Sequence, residues 1–154
     1  NVGRFQDLEN FLKAIKILPK DTKVQLLVMG EGSEKKYLEK KVYEDNLNVI
    51  FLGYQPPHIA KSIISQADLG IVTLHDKMFK YAYPSKIMTY LQQGVPILST
   101  IDSESEIVQD MLSFQYGFWC SKNNPISLSN LLIRLSGERS WKKKMNDNIE
   151  KIFY

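Results

Sequence analysis

A chain of 154 residues with 44% hydrophobic content is long enough for one compact core and too short for two ordinary ones. Its formal charge of +3 comes from basic and acidic residues interspersed along the sequence, which argues against a nucleic-acid footprint and leaves an anionic small ligand or an anionic membrane surface open. The single Cys120 excludes an intramolecular disulfide and, with two histidines, a Cys/His metal cluster. No apolar run approaches the roughly 18 residues of a spanning helix, and the expected setting is reducing and cytoplasmic.

In chain order, Leu8, Phe11, Leu12 and Ile15 recur at helical spacing, and Val24 to Met29 is a short apolar run ended by Gly30, as a buried strand would be. Tyr37, Leu38 and Val42 mark the next amphipathic helix, and Asn48 to Gly53 repeats the strand pattern. Pro57 suits the first turn of a helix carrying Ile59, Ile63 and Ile64, which leads into a strand over Leu69 to Leu74. After a longer loop from His75 to Pro84, Ser85 is placed to cap a helix with Ile87, Met88 and Leu91 inward, stopped by a left-handed Gly94. Val95 to Ser99 is the next strand. Ser103 and Glu106 have capping-box spacing before Ile107, Val108, Met111 and Leu112, and Gly117 to Cys120 is the last strand. Two amphipathic helices close the chain, the first opened by Asn124 and Pro125 with Leu128, Leu131, Leu132 and Leu135 on one face, the second carrying Trp141, Met145, Ile149 and Ile152.

Strands apolar on both faces, alternating with crossover helices, predict a doubly wound, mostly parallel, Rossmann-like α/β sheet. Ligands in such sheets bind outside the carboxyl ends of the strands, which directs attention to Gly3–Gln6, Gly30–Ser33, Gly53–Pro57, His75–Lys86 and Thr100–Glu104. Asn1 to Arg4 reads as a strand-to-helix turn without its strand. The expectation is a domain over residues 1–154 that lacks a first strand and an upstream domain.

Pro84, Ser85 and Lys86 open a helix whose free backbone N–H groups, hydroxyl and ammonium outline an anion site, although an ordinary capped helix with a solvated lysine reads equally well from these residues alone. Gly3 permits close approach of a phosphate, and Arg4 offers a fixed fork of donors at the same edge. Tyr54, after Gly53, could lie alongside a base. Gly30-Glu31-Gly32 matches neither dinucleotide nor P-loop patterns and is better explained by a tight turn. Asp68 precedes its strand and so reads as structural. The basic run Lys142–Lys144 beside Trp141 reads as a solvated helix face or a contact with anionic lipid.

Taken in order, Asn1–Asn10, Leu27–Gly32, Val49–Tyr54, Ala67–Asp68, Pro84–Lys86 and Gly94–Leu98 resemble the C-terminal, donor-binding domain of retaining GT-B glycosyltransferases of group 1, in the Pro-Ser-Lys subgroup typical of bacterial capsule and lipopolysaccharide synthesis. The resemblance implies a nucleoside-diphosphate sugar as substrate, with no separate cofactor and no metal. It also implies a saccharide or lipid-linked acceptor held by an upstream Rossmann-like domain, and location at the inner face of the cell membrane. Gly3, Arg4, Ser85 and Lys86 would face the donor diphosphate, Tyr54 would adjoin the base, and no catalytic residue is singled out. Many relatives carry two glutamates, one on the sugar and one on the ribose, where Tyr81 and Thr89 stand here. Gln6 replaces a lysine common after the opening Gly-Arg. The isolated piece is expected to be inactive. The alternatives are a GT-B-like sugar-nucleotide epimerase and a non-catalytic doubly wound regulatory module.

Overall fold

The computed structural model describes residues 7–73 and 85–153. Helices α1 (Glu9–Lys16), α2 (Lys35–Glu44), α3 (Pro57–Ser65), α4 (Lys86–Gln92), α5 (Glu106–Phe114), α6 (Pro125–Gly137) and α7 (Trp141–Phe153) alternate with strands β1 (Leu26–Met29), β2 (Val49–Gly53), β3 (Gly70–Val72), β4 (Ile97–Ser99) and β5 (Gly117–Trp119) until the final helix pair. All strand pairings are parallel, so the chain has the doubly wound architecture its periodicity predicts. Among the described residues the strands form two groups, β1–β2 and β3–β4–β5. Leu26 lies opposite Val49, with a bulge near the end that sets Met29 against Gly53, and Ile97 and Leu98 lie between Gly70–Ile71 and Gly117–Phe118.

Helix α1 joins the two groups. Its Phe11 and Ala14 pack with Leu98, Cys120, Leu128 and Leu132, while Leu12 and Ile15 pack with Val28, Leu38 and Val49. Residues 11/14 and 12/15 present adjacent faces of the helix, so one turn of sequence serves both sides of the molecule. A third cluster gathers Val72, Ile97 and Met111 with Ile107, Val108 and Ile149, and places α5 and α7 on the β3–β5 group.

Several local expectations change. The cap of α5 is Ser105, whose Oγ accepts from the Val108 N–H, rather than Ser103. Ser105 is extended and directly precedes the helix, the geometry an N-cap requires. Ser85 precedes α4, but its backbone is already helical and it makes no cap hydrogen bond. Met88 and Leu112 are 49% and 50% exposed, so the buried stripes of these helices are carried by Ile87 and Leu91 in α4 and by Ile107, Val108 and Met111 in α5. Ile152 likewise is 41% exposed. Asn124 caps α6 through Ser127 N–H, Pro125 occupies its first turn, and Gly94 is left-handed as predicted. No helix among the described residues is long and apolar enough to cross a membrane.

Candidate functional site

The carboxyl ends of β3 and β4 are tied by buried hydroxyls. Thr100 Oγ1 donates to Thr73 Oγ1 at 2.8 Å, and Thr73 Oγ1 donates to the Asp7 carbonyl at 3.2 Å, which anchors the chain entering α1 to the end of β3. The next turn is fixed as well: Ser99 Oγ accepts from Ile101 N–H, Trp119 Nε1 donates to the Ile101 carbonyl at 2.8 Å, and Lys122 pairs with Asp102 at 2.6 Å. These bonds tie the carboxyl ends of β3, β4 and β5 and the turn at Ile101–Asp102 to one another.

Beside this rim opens a cleft of about 950 Å³ between the β1–β2 and β3–β5 groups. Ser85, Lys86, Thr89 and Tyr90 of the α4 segment line one wall, and Leu27 and Met29 of β1 line the other. The cleft runs on past Gly70 to Asp68 and Arg139 at the opposite end, so only its upper part lies at the edge where doubly wound sheets take ligands. Burial pushes the Lys86 ammonium below its ordinary pKa. A cation held partly out of water gains more from a nearby anion than a solvated one. The Ser85 hydroxyl is not committed to capping and is exposed at the same mouth. With only seven residues, α4 adds a modest dipole, so the side chains at its start outweigh it.

The structure therefore brings Ser85, Lys86 and Thr89 together and leaves Tyr54 apart. Tyr54 follows β2, is 71% exposed and does not line the cleft; the turn below it is held by Lys35 bonding Glu31 at 3.0 Å. Gly3, Arg4, Tyr81 and Pro84 lie outside the described residues, as does His75. Three participants escaped the sequence reading. Thr73 and Thr100 look like ordinary strand-end residues, and their hydroxyl chain exists only once β3 and β4 pair. Tyr90 had a signal, since a glycine inside a strand marks close approach: a Cβ on Gly70 would meet the Tyr90 ring at 2.5 Å. Asp68 is structural as expected. It bonds Arg139 and also Lys142, at 2.6 Å for the latter, which removes Lys142 from the freely solvated basic run.

A doubly wound domain whose ligand edge carries a lysine and a free hydroxyl beside a deep cleft has the form of one half of a GT-B enzyme. The model of the family "Glycosyl transferases group 1" matches residues 1–152, and the chain belongs to that family. It is 29% identical over 133 residues to the "Probable glycosyltransferase WbjE" of Pseudomonas aeruginosa, which covers 86% of this chain and 33% of that protein. Among solved structures it is similar to Anabaena Alr3699/HepE in complex with UDP, with TM-score 0.75 and 15% identity over 96% of this chain and 40% of that one. It is similar also to the C-terminal domain of the group 1 family protein LpcC from Francisella tularensis, with TM-score 0.76 and 18% identity over 97% and 80% of the two chains. The chain thus spans about one third to two fifths of the longer relatives and most of the isolated C-terminal domain.

Proposed function

We propose that this chain is the donor-binding C-terminal half of a glycosyltransferase of the Pro-Ser-Lys subgroup, acting with an upstream domain that holds a saccharide or lipid-linked acceptor. The observation that carries the reading is coverage: the chain accounts for four fifths of a solved C-terminal domain of the family and only two fifths of a longer member. In the reaction the acceptor hydroxyl oxygen bonds the anomeric carbon as its proton passes to the departing phosphate oxygen, and the bond from that carbon to the β-phosphate oxygen breaks. The electron pair stays on the departing nucleoside diphosphate. Gly3, Arg4, Ser85 and Lys86 stabilise the charge that collects there, Tyr54 adjoins the base, Thr89 the ribose, and Tyr81 the sugar. The exposed Lys143 and Lys144 of α7 suit peripheral contact with an anionic cytoplasmic leaflet.

Calorimetric titration of the full-length polypeptide with UDP and GDP tests the reading, and a folded protein that binds neither would overturn it. Lys86→Ala and Arg4→Ala are each expected to weaken binding by about 1.5–3 kcal/mol, the range for charge-assisted hydrogen bonds. Because Lys86 titrates below its ordinary range, affinity should fall as the pH rises through its lowered pKa, and in Lys86→Ala that alkaline loss should disappear. A product assay on the full-length protein separates glycosyl transfer from the epimerase alternative.

A further inference from the structure

Two threonines stand where valine would pack as well. Thr73 directly follows β3 and Thr100 directly follows β4, and they are 3% and 1% exposed. A hydroxyl buried in this way costs stability unless it is used. Each hydroxyl has one proton to give. Thr73 gives its proton to the Asp7 carbonyl at 3.2 Å, and Thr100 is the donor in the 2.8 Å bond between the two side chains. The relay therefore has a direction, from the end of β4 across the end of β3 to the polypeptide entering α1, and each bond polarises the next.

What the relay fixes is the start of α1. That helix begins at Leu8 without a side-chain cap, and its entry is held from two sides. On the α2 side, Glu9 accepts from the Tyr37 hydroxyl at 2.8 Å and pairs with Lys41 at 3.0 Å. On the sheet side the tie is the bond from Thr73 to Asp7. This second tie lies at the carboxyl end of the strands, the edge at which doubly wound sheets hold their ligands, and Thr73 and Leu8 line the same cleft as Ser85 and Lys86. Arg4 precedes Asp7 by three residues. Three residues of extended chain reach at most about 11 Å, so a backbone pinned at Asp7 keeps Arg4 within that reach of the pin.

We propose that Thr73 is a positioning residue for the donor diphosphate, acting through Arg4: its hydroxyl, oriented by Thr100, pins the Asp7 carbonyl at the end of β3 and so sets the Arg4 guanidinium against the same anion that Lys86 meets. The inference rests on the donor-domain reading and deepens it. Serine at position 73 preserves both bonds. Valine has nearly the same shape, removes the donor to Asp7 and leaves the Thr100 proton without its acceptor. The fork of a guanidinium binds an anion well only in a narrow range of placements. Losing the pin therefore costs affinity through Arg4 and not through Lys86, which a different segment carries.

Titrations of the full-length polypeptide and its variants with UDP and GDP test the proposal, using whichever nucleotide the unsubstituted protein binds. Thr73→Val is expected to weaken binding about 10-fold and Thr73→Ser less than about 2-fold. In an Arg4→Ala background Thr73→Val should cost less than about 2-fold, because the group it positions is gone, whereas in Lys86→Ala it should keep its cost of about 10-fold. Tyr37→Phe releases the tie on the α2 side and should change affinity by less than about 2-fold. Urea unfolding of each variant reports stability separately. If Thr73→Val does not fold, Thr100→Val takes its place, with an expected loss of about 3-fold that is again absent from Arg4→Ala. Equal losses with and without Arg4 would overturn the proposal. So would a loss in Tyr37→Phe or in Thr73→Ser as large as that in Thr73→Val, since the effect would then be a general loosening of α1 or a matter of shape. Unchanged affinity in Thr73→Val would overturn this proposal and leave the donor-domain reading intact. A folded, unsubstituted protein that binds neither nucleotide would overturn that reading and this proposal with it.

Discussion

Around β4 the packing closes in every direction. Ile97 and Leu98 are fully buried, β3 and β5 pair with both edges, and α1, α5 and α6 cover the faces. Around β1 it closes on one face only, where Leu12, Ile15 and Leu38 meet Val28 and Val49, while Leu27 and Ile50 are partly in solvent and α3, which follows β2, has no buried residue. Both halves have similar strand sequences, so apolar runs alone do not decide burial. What differs is whether each edge has a neighbour to carry the covering helices inward.

The largest effect expected from this contrast is in paired truncations. Ile107 is 2% exposed in the β3–β5 cluster, and Ile107→Ala should cost about 2–5 kcal/mol, combining lost transfer energy with a cavity. Ile59 of α3 is 39% exposed, and Ile59→Ala should cost less than about 1 kcal/mol. Urea unfolding of the two variants measures the difference directly; equal losses would mean that α3 is as firmly seated as α5.

A second test probes the seam between the halves. Gly70→Ala places a Cβ 2.5 Å from the Tyr90 ring, and overpacking of this kind costs about 1–3 kcal/mol. The ring sits at the cleft wall, so replacing it should make room. Tyr90→Ala combined with Gly70→Ala is therefore expected to be less destabilised than the sum of the two single variants, because the clash is absent from the double variant. Strict additivity would show that the ring moves freely into the cleft and that Gly70 has a different role.

Most of the architecture was legible because its signals are local. Gly94 after α4, Pro57 and Asn124–Pro125 at helix starts, and apolar runs ended by Gly30 and Gly53 each state a backbone requirement within a few residues. The site was legible only in part. A helix start singles out Ser85 and Lys86 in the sequence, but the cleft that opens beside them is walled by β1 and β3, which no short window contains. The hydroxyl chain from Thr100 through Thr73 to Asp7 spans three distant segments, and Met88 and Leu112 were assigned inward because a helix stripe one residue too wide fits the same sequence. The cap at Ser105 was misplaced at Ser103 because both serines precede the same apolar run, and only backbone geometry separates them.

The smallest effect concerns how the firm half is fastened at its far end. Asp68, just before β3, bonds Arg139 in the turn between α6 and α7 and Lys142 in the first turn of α7, while Trp141 between them donates to the Leu135 carbonyl at 3.0 Å and meets Phe118 edge-on at 5.3 Å. Burial pushes the Asp68 carboxyl up, but the Lys142 bond and the charges of Lys142 and Arg139 outweigh it and leave its pKa below the ordinary value. A carboxylate depressed on folding contributes stability that is present above its unfolded pKa, near 3.9, and is lost as the pH falls through the folded value. The side chain is 52% exposed, so solvent screening holds the contribution to about 1 kcal/mol or less. Asp68→Asn should therefore lower stability slightly at pH 7, and the two proteins should converge in acid unfolding below about pH 4. Added salt should narrow the gap at neutral pH as well. A gap that persists once the carboxyl is protonated in the folded protein too would assign the effect of Asp68 to packing of α7 rather than to charge, and would make Trp141 and Phe118 the principal fastening of that helix.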